Sequence, residues 1–119
     1  MSTRGRVGTG DDVLIGGFIS RGGGRLVIRA IGPSLAGFGV PSPLPDPVLA
    51  LKDGNGATLM TNDDWQSSQA ADITATGLAP TNSAESAILT SLPAGNYTAV
   101  VSGKGSATGI ALVEIYQLP

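Results

Sequence analysis

Residues 13–35, VLIGGFISRGGGRLVIRAIGPSL, constrain the fold more than any other stretch of the chain. Two apolar runs rich in β-branched residues flank Arg21-Gly22-Gly23-Gly24. A glycine triplet reaches the left-handed backbone of a tight turn without steric cost. The pattern predicts strands over Val13–Ser20 and Arg25–Ile31, paired as an opening hairpin or joined across two sheets. In the second run Leu26, Ile28 and Ala30 share one face, and Val27, Arg29 and Ile31 the other. Arg29 interrupts an apolar face, so it lies at a sheet margin or pairs with a carboxylate such as Glu114.

The rest of the chain repeats this grammar. Ser2–Thr9 reads as a weak strand, with Thr3, Gly5 and Val7 on one face and Arg4 and Arg6 on the other. Gly32–Asp46 carries four prolines and predicts an ordered loop between sheets, anchored by Leu35, Phe38 and Val40. Pro47–Lys52 and Ala57–Thr61 flank Asp53-Gly54-Asn55-Gly56, a strong hairpin signal. Asn62–Ala84 is polar and strand-poor, and Ser67–Ala75 predicts a short helix with Ser67 or Ser68 as N-cap, ended by Gly77. Glu85–Leu92 reads as a strand, and Tyr97–Ser102 with Ile110–Leu118 as a last hairpin around Gly103–Ser106. The expected architecture is therefore all-β: an antiparallel two-sheet sandwich, immunoglobulin-like or jelly-roll, of eight or nine short strands. At 119 residues it is expected to be one domain spanning 1–119, burying roughly two-thirds of its unfolded surface.

Composition removes several chemistries. Cysteine and histidine are absent, so there is no disulfide, no thiolate or imidazole metal ligand, and no histidine base. A Ser–Lys dyad would require Lys52 or Lys104, each beside a glycine turn, so the reading is that the chain is not an enzyme. Residues 1–31 hold five arginines against Asp11 and Asp12, while residues 32–119 hold two lysines against seven carboxylates. Nucleic-acid binders show denser basic patches with stacking aromatics, and nucleic acid is not an expected partner. No apolar run reaches transmembrane length and no apolar leader segment is visible, so membrane insertion is not expected.

Asn62, Asp63 and Asp64 form the candidate metal site, with calcium as the ion their oxygens suit. Asp53 and Asn55 cannot join them, because a strand of five residues at ~3.3 Å each holds them about 16 Å away. Trp65 is either a sugar-stacking platform or, more simply, a plug at one end of the core. Tyr97 and Tyr116 have cross-strand hairpin spacing and read as packing residues. Asn96-Tyr97-Thr98 fits a glycosylation acceptor, with an ordinary turn asparagine as the plainer reading.

STRGRVGTGDDVLIGGFIS followed by RLVIRAIGPSLAGFGV resembles a repeat domain of large secreted or surface proteins of environmental bacteria. The resemblance continues through DPVLALKDGNGATLMTNDDW and LPAGNYTAVVSGKGSATGIALVEIY. It implies an extracellular or cell-surface location and tandem units, not an activity. The C-terminal part, from LALKDGNGATLMTNDDW onward, is also similar to the pre-peptidase C-terminal modules of secreted hydrolases. Those are non-catalytic, and some bind calcium or polysaccharide.

Two functions follow as expectations. The first is a structural subunit of an extracellular fibre, with copies of the chain joined head to tail by β-strand addition. Its donor is either Ile110–Leu118 or the more detachable segment 1–9, whose assembly residues are Thr3, Arg4, Gly5, Arg6 and Val7. The alternative is an accessory module that holds calcium or polysaccharide near Asn62–Gln66. No other cofactor is expected.

Overall fold

The computed structural model describes residues 1–118. Eight strands run in chain order: β1 (Ser2–Val7), β2 (Leu14–Ser20), β3 (Leu26–Ile31), β4 (Pro47–Lys52), β5 (Thr58–Asn62), β6 (Ser86–Thr90), β7 (Gly95–Gly103) and β8 (Gly109–Gln117). They form two four-stranded sheets, ordered β1-β8-β3-β6 and β2-β7-β4-β5, with every pair antiparallel. The expected two-sheet sandwich is thus the observed one. No helix among the described residues is long and apolar enough to cross a membrane.

Alternating side chains build the core. Val7, Leu14, Ile28, Leu49, Leu51, Ile88, Val101, Val113 and Ile115 point between the sheets and are buried. Only β4 and β5 are joined within one sheet, by the predicted turn at Asp53–Gly56. There Asp53 Oδ1 accepts the N–H groups of Asn55 and Ala57 at 2.9 and 3.0 Å. Every other connection crosses the sandwich. β2 and β3 are accordingly joined across sheets, through Gly22, Gly23 and Gly24, all at φ between 72° and 78°. That backbone favours glycine over any other residue.

The expected last hairpin is corrected. β7 pairs with β2 and β4, whereas β8 lies in the other sheet between β1 and β3. Both strands alternate cleanly, but each buries its apolar face from its own side of the sandwich: Ala99 and Val101 from one, Ala111, Val113 and Ile115 from the other. Tyr97 and Tyr116 are therefore not neighbours. Tyr97 stacks on Phe18 with ring centroids 5.8 Å apart, and Tyr116 lies beneath Arg29.

A second, smaller core covers half of the outer face of the first sheet. The short helix α1 (Ala70–Ala75) and a 3-10 turn at Trp65–Ser67 pack Ile73 and Trp65 onto Val27, Ala87 and Leu89. This is why β3 and β6 are buried on both faces. The helix is shorter than predicted, and its N-cap is Gln69 with no side-chain cap bond. Ser67 belongs to the preceding turn, where its hydroxyl donates to Asp64 O at 2.7 Å. Trp65 is only 9% exposed, so its ring is a plug and offers no open face to a sugar.

Candidate functional site

Three regions present unsatisfied chemistry. The first is a cluster of carboxylates at one end of the second sheet. Asp46 precedes β4, Asp63 and Asp64 follow β5, and Lys104 follows β7. One oxygen from each of the three acids lies within 4.8 Å of the others. Lys104 Nζ reaches Asp63 Oδ2 at 2.6 Å. The buried atoms Asp46 Oδ1 and Asp63 Oδ1 have no hydrogen-bond partner among the described residues. Burial and then the neighbouring charges of Asp63 and Asp64 push the Asp46 carboxyl above the ordinary carboxylate value. A hydrogen bond to Asp63 and its charge push the Lys104 ammonium up.

Of the expected ligands, Asp63 and Asp64 fall in this cluster and Asn62 does not supply its side chain to it. Asn62 Oδ1 accepts the Ala87 N–H at 3.0 Å, and Nδ2 donates to Asp64 O at 3.0 Å. Asn62 is a buried main-chain bracket. Asp46 was not legible as its replacement, because it is distant in sequence and meets Asp63 only through the β4–β5 pairing.

The second region is a groove of about 640 Å³ on the uncovered half of the first sheet's outer face. Ile31 and Leu112 form its floor, Leu35, Phe38 and Val40 one wall, and Arg4 the other. The wall is a 3-10 turn, Pro33–Phe38, that follows β3. The fully buried Glu85 clamps the start of that turn: its carboxylate accepts the N–H of Gly32 and of Ser34, both at 2.9 Å, and the Ser34 hydroxyl at 2.7 Å. The Gly32 position admits no side chain, since an added Cβ would meet Leu44 O at 2.1 Å. Phe38 is 85% exposed, so it does not anchor the loop as expected; Leu44, fully buried, does. At the groove's end the expected Arg29–Glu114 pair is present. Arg29 Nε donates to Glu114 Oε1 at 3.0 Å, and the Tyr116 hydroxyl donates to Oε2 at 2.6 Å.

The third region is the set of sheet edges. β1 has the predicted alternation: Val7 is wholly buried, Thr3 and Gly5 are half-buried, and Arg4 and Arg6 face out. It pairs only with β8, in register Ser2 opposite Glu114 through Val7 opposite Gly109. Asn96 is exposed at the start of β7 rather than in a turn. Asp11 and Asp12 lie exposed in the β1–β2 connection, and Arg21 lies exposed just after β2.

No protein-family model and no curated protein matches the chain. Among solved structures it is similar to the pre-peptidase C-terminal domain of a collagenase from Bacillus anthracis, at a TM-score of 0.61 and 10% identity. The alignment covers 98% of this chain and 88% of that one. The likeness is one of fold, and it agrees with the C-terminal resemblance described above. The tandem-repeat resemblance has no counterpart in these comparisons.

Proposed function

We propose that this chain is a non-catalytic assembly module of a secreted or surface protein, whose copies join head to tail by exchanging β1. One observation carries the reading: β1 is an edge strand held by one ladder and one fully buried side chain, Val7. Burying a valine contributes about 1.5–3 kcal/mol, and each ladder bond about 0.5–1.5 kcal/mol. A copy that receives β1 from a neighbour recovers the same ladder, so exchange costs little beyond opening the short connection 8–13. That connection is held by the Gly8 N–H to Asp12 O bond at 2.7 Å and the Asp12 N–H to Thr9 O bond at 3.2 Å.

The test locks the strand. Arg4 and Leu112 are directly opposite across β1 and β8. An Arg4→Cys/Leu112→Cys variant can therefore close an intrachain disulfide in a chain that otherwise has no cysteine. The wild-type chain should form filaments in electron micrographs, the oxidised variant should form none, and the reduced variant should polymerise again. A chain lacking residues 1–9 should not polymerise. Filaments from the oxidised intrachain-linked form, or a wild-type chain that stays monomeric when concentrated, end this reading.

A second reading, calcium held by Asp46, Asp63 and Asp64, is favoured by the unpartnered oxygens of Asp46 and Asp63. Calcium takes six to eight oxygens, which three carboxylates and nearby carbonyls can approach. Lys104 already sits on Asp63 and competes with any ion. Millimolar calcium should then raise the melting temperature, more so in Lys104→Ala and not in Asp63→Asn. An unchanged melting curve in all three proteins rejects it.

A further inference from the structure

We infer that the outer edge of β2 is a self-pairing interface, at which two copies of this chain join their second sheets across a twofold axis. The sandwich has four edge strands: β1, β6, β2 and β5. Exposed main-chain edges pair with other strands unless they are covered, charged, shortened or irregular. β6 is covered. The Gln69 side chain donates to Leu89 O at 2.9 Å and accepts the Leu89 N–H at 3.0 Å, and Asn62 takes the Ala87 N–H. β5 is short, and its pairing with β4 is irregular at Leu51/Lys52. β1 carries Arg4 and Arg6. β2 has none of these protections. Leu14–Ser20 contains no charge and no proline, its ladder with β7 is unbroken, and among the described residues no side chain or loop hydrogen-bonds its main chain at the outer edge. Its outward face carries Ile15 at 56% and Ile19 at 76% exposure, on either side of Gly17.

The charges flanking β2 select the partner. Asp11 and Asp12 precede the strand, Arg21 follows it, and all three are exposed without an ion-pair partner among the described residues. An edge that is negative at one end, neutral along its length and positive at the other is complementary to itself only when antiparallel. Directly opposite residues share a face, so only registers that keep Ile15 and Ile19 on the outer side are allowed. The register that overlaps the whole strand sets Gly17 opposite Gly17 of the second copy. Ile15 then lies opposite Ile19, and Phe18 opposite Gly16, a large residue beside a small one. Asp11 and Asp12 of each copy come next to Arg21 of the other at both ends. The product is one continuous eight-stranded sheet. Its contact is isologous and closes at two copies, which separates it from head-to-tail exchange of β1.

A single cysteine tests the axis. Position 17 is open, since a Cβ there has nothing within 4 Å. Residues paired on the twofold have Cα atoms about 4.5–5.5 Å apart, within disulfide range. Gly17→Cys should oxidise to a covalent dimer. Ile15→Cys should not, because the two copies of residue 15 lie four positions apart, about 13 Å along the strand. Asn55→Cys, on the exposed turn after β4, serves as the control. By sedimentation equilibrium in the oxidised Arg4→Cys/Leu112→Cys background, where β1 exchange is blocked, Ile19→Lys and Arg21→Glu should each weaken dimerisation by about tenfold or more, where tenfold is 1.4 kcal/mol. Adding Asp11→Arg and Asp12→Arg to Arg21→Glu should restore it, which a general loss of folding would not. Cross-linking of Gly17→Cys no faster than the Ile15 and Asn55 variants, or a chain that sediments as a monomer at all concentrations, overturns the inference.

Discussion

The β6 edge and the β2 edge are opposite treatments of the same problem. At β6, one glutamine and one asparagine satisfy three main-chain groups of Ala87 and Leu89, and the Trp65 N–H binds Glu85 O at 2.9 Å. At β2, the main-chain groups face solvent beside two exposed isoleucines. The first edge is made of buried polar contacts, so its side chains hold the fold together. The second is made of exposed apolar groups, so its side chains matter for what the fold meets. The difference teaches that the same strand chemistry closes a sheet's rim or leaves it open, according to whether side chains from elsewhere reach it.

This contrast can be broken by mutation, beginning where the largest effect is expected. Glu85→Leu removes the carboxylate that ties β6 to the turn after β3 and leaves the N–H groups of Gly32 and Ser34 unpaired. It should cost about 3–5 kcal/mol in urea denaturation. Gln69→Ala uncovers both groups of Leu89. It should cost about 1–3 kcal/mol, and it should create a second sticky edge, seen as concentration-dependent aggregation by light scattering. Ile19→Lys should change stability by no more than about 0.5 kcal/mol. If it destabilises the monomer as much as Gln69→Ala does, the two edges are not different in kind.

The smallest effect lies away from both edges, at the acidic end of β4 and β5. Asp46 is held above its usual value in the folded chain. The folded state therefore binds its proton more readily than the unfolded chain, so ionising Asp46 opposes folding. As pH falls through its raised value toward 3.8, this site's contribution to stability should increase. Asp46→Asn should remove that dependence and change neutral-pH stability by less than about 0.5 kcal/mol, read from melting curves across pH. The Lys104 contribution has the opposite sense: it is present at neutral pH and is lost only as pH rises past 10.5 toward the raised value. A melting curve flat in acid for both wild type and Asp46→Asn would show that the cluster relaxes apart.

Much of this was legible because it depends on neighbours in sequence. The Gly22–Gly24 turn, the Asp53–Gly56 hairpin and the inward alternation of β3 and β8 each rest on a few adjacent residues. Arg29 opposite Glu114 could be anticipated because both interrupt otherwise apolar strands with opposite charge. Glu85 could not, because a glutamate opening a strand reads as solvated until the main-chain N–H groups of Gly32 and Ser34 are seen to converge on it. Phe38 reads as an inward anchor because large apolar residues usually are buried. The loop instead buries Leu35 and Leu44 and leaves Phe38 on the groove wall.

By itself, then, the sequence determined which residues share a face of each strand, where most of the turns fall, and that histidine and cysteine chemistry is closed to the chain. The tertiary structure alone decided which strands are neighbours, which edges are covered, and that Asp46 joins Asp63 and Asp64. The reason is physical: alternation and turn chemistry are local, with a range of a few residues. Strand partnership is decided by packing two sheets against each other, and clean alternation in β7 and β8 is equally satisfied whether they face across a ladder or across the core.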